Sequence, residues 1–156
     1  MSTDNLQIRV TDWETDNKQI SVIRRQVFID EQNVPEEMEW DEYDSSSTHF
    51  IATIDDRAIA TSRLKPDGQI GRMAVLAGYR NQGIGGKLLQ FVLLCATEKN
   101  MGKLYLHAQV SAIAFYEKHG FSTRGEVFYE ANIPHREMLK IICQGTMPNE
   151  NKYESC

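Results

Sequence analysis

Gly71-Arg72-Met73-Ala74-Val75, followed a little further on by Arg80-Asn81-Gln82-Gly83-Ile84-Gly85-Gly86-Lys87-Leu88-Leu89, is the stretch that decides the fold. The first run reads as a strand. The second opens an apolar segment over residues 83–99, where Ile84, Leu88, Phe91, Val92 and Cys95 recur at helical spacing. Leu89, Leu93, Leu94 and Ala96 widen that face and predict a deeply buried helix. Strand, glycine-rich turn and helix N-terminus together make an anion site. The first helical N–H groups lack intrahelical partners, and the helix dipole adds partial positive charge. Glycine lets a phosphate lie on the backbone with no Cβ in the way. The chain is therefore expected to hold a phosphate-bearing ligand.

Outward from this segment the elements fall in order. Leu6, Ile8 and Val10 alternate as a strand over residues 6–11. Thr11-Asp12-Trp13-Glu14 fits a capping box, and Ile20, Ile23, Val27 and Phe28 form a helical stripe that Pro35 ends. Residues 48–54 and 58–64 read as strands joined at Asp55-Asp56. Pro66-Asp67-Gly68 is a second tight turn, leading into a strand over 69–76. After the long helix, Leu104, Leu106 and Ala108 alternate as a strand. Ser111 can cap a short helix over 112–119, which Gly120 ends. Two strands follow, near 121–130 and 136–143. The pattern is β-α-β-β-β-α-β-α-β-β: an α/β fold built on a mixed, mostly antiparallel sheet of six or seven strands with helices on both faces. One domain over 5–145 and a polar tail over 146–156 are expected, since 156 residues suit a single core.

Composition narrows the function classes. A net charge of −5 argues against nucleic acid. The longest apolar run, residues 91–96, is far short of a membrane span, and the first residues lack the features of a signal peptide. Cys95, Cys143 and Cys156 show no paired or metal-like spacing, so a reducing cytoplasm and no metal are expected. The charge is uneven: residues 30–44 carry eight carboxylates and no Lys or Arg, leaving 14 acidic against 17 basic residues elsewhere. That run reads either as a solvated loop or as a wall that attracts a cationic substrate.

Three phosphate-loop patterns compete. The P-loop fails because Leu88 follows Gly86-Lys87 where Ser or Thr belongs, and Asn81 stands at its first glycine. The dinucleotide pattern finds Gly83 and Gly85 but meets Leu88 at the third glycine. The third pattern fits. Arg80-Asn81-Gln82-Gly83-Ile84-Gly85 resembles the (Arg/Gln)-x-x-Gly-x-(Gly/Ala) loop of the GCN5-related N-acetyltransferases. Met73-Ala74-Val75 resembles that family's central strand. Gln109-Val110-Ser111-Ala112-Ile113-Ala114-Phe115-Tyr116-Glu117-Lys118-His119-Gly120-Phe121 resembles its second signature, with Gln109 where many relatives have Asn. The resemblance spans roughly residues 6–143. Val27-Phe28-Ile29-Asp30-Glu31-Gln32-Asn33-Val34-Pro35 and Ile133-Pro134-His135-Arg136-Glu137-Met138 are similar to its small bacterial ElaA-like branch.

The resemblance implies acetyl-coenzyme A as cosubstrate and a small-molecule or peptidic amine as acceptor, and it leaves a homodimer open. It implies that the backbone of Met73, Ala74 and Val75 pairs with the pantetheine arm, and that the amides of residues 82–86, Gln82, Gly83, Gly85 and Gly86 among them, hold the pyrophosphate, with Asn81 a further cofactor-binding residue. Arg80 or Lys87 would add charge, and Gln109, Ala112 and Phe115 would line the cofactor. Tyr116 would protonate the departing thiolate. A lysine-like amine with pKa about 10.4 pays about 4.6 kcal/mol to be neutral at pH 7, so a base is wanted. No carboxylate lies in 69–76, which leaves His107 first and Glu31 second, with His49, His119 and His135 behind. Cys95 reads as inert, and nothing suggests an acyl-cysteine. Trp40 and Tyr43 either receive the cationic amine or anchor the acidic run. A cofactor-binding sensor without turnover is the alternative to an enzyme.

Overall fold

The computed structural model describes residues 5–142. Cys143, Cys156 and the polar tail lie outside the described residues. The chain forms two compact units, one running to Val92 and one from Leu93.

In the first unit, β1 (Leu6–Thr11), β2 (Thr48–Ile54), β3 (Arg57–Leu64) and β4 (Ile70–Val75) form one antiparallel sheet in that order. Asp55 and Asp56, both at positive φ (51° and 67°), make the tight β2–β3 turn, a conformation that short polar side chains tolerate. Phe50, Ile51 and Ala52 on β2 are all 0% exposed. Successive strand residues point to opposite faces, so both faces of β2 are covered. α1 (Trp13–Arg24) lies against β2, β3 and β4, and Ile23, Val27 and Ala74 form one buried cluster. The α1 cap is Asp12, not Thr11: its side chain accepts from Thr15 N at 2.8 Å. α1 continues as a π-helical stretch, Arg25–Glu31, and α2 (Glu36–Glu39) starts behind Pro35, so the proline separates the helices as expected. Val10 is 51% exposed despite the alternation, because β1 is an edge strand of its sheet.

α3 (Ile84–Glu98) is the long helix. Ile84, Leu88, Leu89, Val92 and Ala96 are buried, whereas Leu94 is 63% exposed. Leu94 lies about 200° round the helix from Val92, on the opposite face, so it does not widen the stripe. In the second unit β5 (Lys103–Gln109), β6 (Ser122–Glu130) and β7 (Ile133–Ile141) form an antiparallel sheet with β7 in the centre. Leu104, Leu106 and Ala108 are its buried alternation. α4 (Ile113–Glu117) follows a 3-10 turn, Val110–Ala112. Ser111 sits inside that turn and makes no capping bond, so the expected cap is absent. Gly120 (φ 91°) ends the helix as expected.

Candidate functional site

The sequence-predicted residues divide between the two units. The first holds Met73, Ala74, Val75 and the loop from Arg80 to Gly86. The second holds His107, Gln109, Ala112, Phe115 and Tyr116.

β4 is the outer strand of its sheet, so one backbone edge of residues 73–75 is unpaired within that sheet. Beyond β4, a short 3-10 turn, Ala77–Tyr79, leads into the loop. Asn81 (φ 63°) and Gly83 (φ 81°) both take left-handed backbone there. A Cβ built on Gly83 would meet nothing within 4 Å, so this surface is open to a ligand. Lys87 N donates to Gly83 O at 3.2 Å. The helical amides ahead of it have no carbonyl one turn back. Lys87 is exposed.

Arg80 is differently employed than expected. Its Nη1 and Nη2 donate to Glu31 Oε2 and Oε1 at 2.9 and 2.7 Å, and its Nε donates to Val75 O at 2.8 Å. The fork-to-fork pair holds Glu31 below the usual carboxylate range, chiefly through the Arg80 hydrogen bonds. Glu31 is therefore a weaker base than an ordinary glutamate.

In the second unit, His107 Nδ1 lies 2.8 Å from Glu130 Oε1, and Nε2 lies 3.8 Å from Glu137 Oε1. Phe128 meets the imidazole edge-on at 5.1 Å. Glu137 is in turn bound by Arg124. The Glu130 contact fixes the ring's orientation, as carboxylates do for working histidines. Tyr116 is half-buried and packs edge-on against Phe115 and Phe121, at 5.0 and 6.0 Å. Burial pushes its phenol up to about 12. His119 is pushed down, first by burial and then by Lys140 and Lys118. That works against a charged imidazole at this helix end, where the dipole would otherwise favour a cation. Burial raises the Cys95 thiol, in keeping with an inert cysteine.

The acidic run is divided: Asp30, Glu31, Glu36, Glu37 and Glu42 are exposed, whereas Glu39, Asp41 and Asp44 are drawn into a cluster with arginines. Arg24, 0% exposed, donates through Nε to Glu39 Oε2 (2.7 Å), through Nη1 to Asp44 Oδ1 (2.8 Å) and through Nη2 to Glu39 O (2.8 Å). Arg63 Nη1 reaches Asp41 at 2.8 Å and Asp44 at 3.0 Å. Arg72 reaches Glu39 at 3.1 Å and Asp41 at 3.2 Å. Arg25 takes Glu36 at 2.7 Å. Burial raises Glu39 despite Arg72 and Arg24. Burial would also raise Asp41, but Arg63 and Arg72 outweigh it and the net shift is downward. Trp13 and Trp40 lie 5.6 and 5.0 Å from the Arg24 guanidinium, and Lys65 Nζ is 3.9 Å from the Tyr43 ring. Both aromatics of the acidic run thus face cations of the chain itself and act as anchors. His49 is buried beneath the cluster with Nε2 2.8 Å from Asp44 O, and burial lowers its pKa. His135 is tied to Ile133 O at 2.6 Å.

The family assignment rests on comparison with known proteins. An Acetyltransferase (GNAT) domain model matches residues 11–142, across both units. The chain belongs to the GNAT acetyltransferase family. This GNAT domain is 34% identical over 122 residues to an uncharacterized N-acetyltransferase, YjcF, of Bacillus subtilis, covering 76% of the chain and 87% of the relative. It is 32% identical to the Escherichia coli protein ElaA over 78% of the chain and 85% of that protein. The crystal structure of ElaA aligns with TM-score 0.79 and 26% identity over 86% of the chain and 99% of ElaA. An acyl-CoA N-acyltransferase from Pseudomonas aeruginosa aligns with TM-score 0.79 and 28% identity, covering 86% of the chain and 99% of that structure. The GNAT fold expected from the loop and element order is thus present. No helix among the described residues is long and apolar enough to cross a membrane.

One residue on β4 escaped the sequence reading. Arg72 has a left-handed φ of 50° inside the strand, where the β3–β4 register shifts between Thr61 and Arg63. Nothing local in Gly71-Arg72-Met73 signals a bulge at an arginine.

Proposed function

We propose that the protein transfers an acetyl group from acetyl-coenzyme A to a primary amine of a small molecule or peptide, by direct attack on the thioester. The observation that carries this reading is the β4 edge running into a left-handed, glycine-open loop at the head of a long helix. Residues 73–75 would hold the pantetheine arm through backbone hydrogen bonds, as a strand holds its neighbour. Amides of residues 82–86 would hold the pyrophosphate, with Asn81 beside them. Arg80 spends three of its five N–H donors on Glu31 and Val75 O, so it would meet a phosphate with the two that remain or by releasing Glu31. Gln109, Ala112 and Phe115 are also proposed to line the cofactor. The bound cosubstrate supplies the activated acetyl group.

Tyr116 is the proposed acid. With its phenol near 12, against about 8.5 for a thiol, full proton transfer to a thiolate is uphill by about 5 kcal/mol. Tyr116 therefore stays protonated across the working range. It donates a hydrogen bond to the sulfur as charge develops, and passes the proton only as the C–S bond breaks. His107, oriented by Glu130, is the proposed base, alone or through water.

The test is thiol release with a panel of polyamines, aminoglycosides, amino acids and lysine peptides. Turnover with any amine supports an enzyme; tight acetyl-coenzyme A binding with no release favours the sensor. Tyr116→Phe is expected to lower kcat by about 10²-fold with cofactor affinity retained. Unchanged turnover of the folded variant removes Tyr116 from the mechanism. The pH–rate profile of His107→Ala is expected to differ from that of the wild type, and superimposable profiles exclude His107.

A further inference from the structure

On β3 and β4 the partners Thr61↔Ala74 and Arg63↔Gly71 leave Ser62 facing two residues, Arg72 and Met73. This is a β-bulge. Its first residue is held at φ 50°, a conformation in which an L-residue with a Cβ is strained. Glycine would take it freely, yet the position carries arginine. The long side chain does what glycine cannot. Nε and Nη2 of Arg72 reach Glu39 O at 3.3 and 3.0 Å, Nη2 reaches Met38 O at 3.4 Å, and the carboxylates of Glu39 and Asp41 lie at 3.1 and 3.2 Å. Those carboxylates are themselves pinned: Glu39 by Arg24 and Asp41 by Arg63. The anchor is thus a charge-balanced lattice of Arg24, Arg63 and Arg72 with Glu39, Asp41 and Asp44, in which Arg72 and Asp41 are part-exposed and the other four are buried.

We infer that Arg72 is a positioning residue. Its ion pairs with Glu39 and Asp41 hold the β4 bulge in the left-handed form and so set the direction of the amides and carbonyls of residues 73–75. This rests on the proposed role of that edge as the seat of the cofactor arm. It gives the acidic run a use: the segment around α2 aligns the thioester from a distance without touching it. A thioester displaced by about 1 Å costs about 10²-fold in rate, so the clamp acts on kcat more than on cofactor affinity.

Three variants separate the alternatives. Arg72→Ala removes the clamp and keeps the Cβ, so the bulge relaxes toward extended backbone. Its kcat is expected to fall by about 10²-fold. Arg72→Gly also removes the clamp but makes the left-handed form free of strain, and is expected to keep clearly more activity than Arg72→Ala. Asp41→Asn weakens the clamp with Arg72 in place; it should lower kcat in the wild-type background and have less effect in the Arg72→Gly background. Backbone carbon chemical shifts at position 72 of the cofactor-free protein give a second readout, left-handed in wild type and extended in Arg72→Ala. Equal losses in the Gly and Ala variants overturn the inference, because the charge and not the bulge would then matter. Unchanged kcat in all three, or left-handed shifts retained in Arg72→Ala, also overturn it. If the wild type transfers no acetyl group to any amine, the proposed function fails while the chemical-shift comparison still decides the clamp.

Discussion

Replacing Arg24 by methionine tests whether the acidic run is held by charge. Methionine keeps much of the length and volume while deleting the guanidinium. Arg24 is fully buried and its two carboxylate partners are each 4% exposed by side chain. Breaking one partner out of a buried pair costs about 3–5 kcal/mol, because an uncompensated charge is left in low dielectric. Here Glu39 keeps Arg72 at 3.1 Å and Asp44 keeps Arg63 at 3.0 Å, so the cost belongs at the lower end, about 3 kcal/mol. With an m-value of about 2 kcal/mol/M, the urea midpoint falls by about 1.5 M. Trp13 and Trp40 flank the guanidinium and give the fluorescence signal. The pH dependence is the sharper part. Glu39 already has a raised pKa from burial, and losing Arg24 raises it further. A carboxyl whose folded pKa lies above its unfolded value destabilises the fold where it must ionise, above the folded pKa. It stops doing so below the unfolded value, 4.5. The gap between Arg24→Met and wild type should therefore shrink as pH falls from 7.5 toward 4.5. A gap that does not change with pH means a packing defect and refutes the charge account, as does a loss under about 1 kcal/mol at pH 7.5.

Two further outcomes are expected. Gly83→Ala meets no neighbour within 4 Å but must adopt φ 81°, so it should cost about 1–2 kcal/mol in backbone strain and weaken acetyl-coenzyme A binding; a variant as stable as wild type in urea contradicts the left-handed assignment. Glu31→Gln removes the carboxylate that competes for Arg80. An exposed pair is worth about 0.2–1 kcal/mol, so the acetyl-coenzyme A Kd should tighten by up to about five-fold in calorimetry, and a weaker Kd shows that the pair shapes the loop instead of competing with it.

The turns and the glycine-rich loop were legible because their signals are local. Asn81, Gly83 and Gly120 take the backbone conformations their residue types suggest, and Asp55-Asp56 makes the hairpin turn its composition predicts. Each of those readings needs only a few neighbouring residues. The errors were local too, and small: Asp12 outcompetes Thr11 as a cap because its carboxylate meets the Thr15 amide directly, and Leu94 sits on the solvent side of a helix apolar nearly all round. Even Glu31 and Arg80 were each singled out, but for separate tasks; nothing in the order of residues says that they bind each other across 49 positions.

The acidic run shows where such reading stops. Eight carboxylates in a row of fifteen look like a solvent-facing or substrate-facing surface when only their own segment is considered. Their answer lies elsewhere in the chain, in Arg24 on a helix, Arg63 on β3 and Arg72 on β4. Each is a basic residue that its immediate neighbours in sequence do not set apart. A buried arginine is costly unless paired, so the apolar stripe Ile20, Ile23, Val27 with Arg24 inside it was the one available hint that distant carboxylates must come to it. Glu39, Asp41 and Asp44 are thus already engaged by arginine, and charge-reversal scans of residues 39, 41 and 44 will report on folding before they report on any substrate.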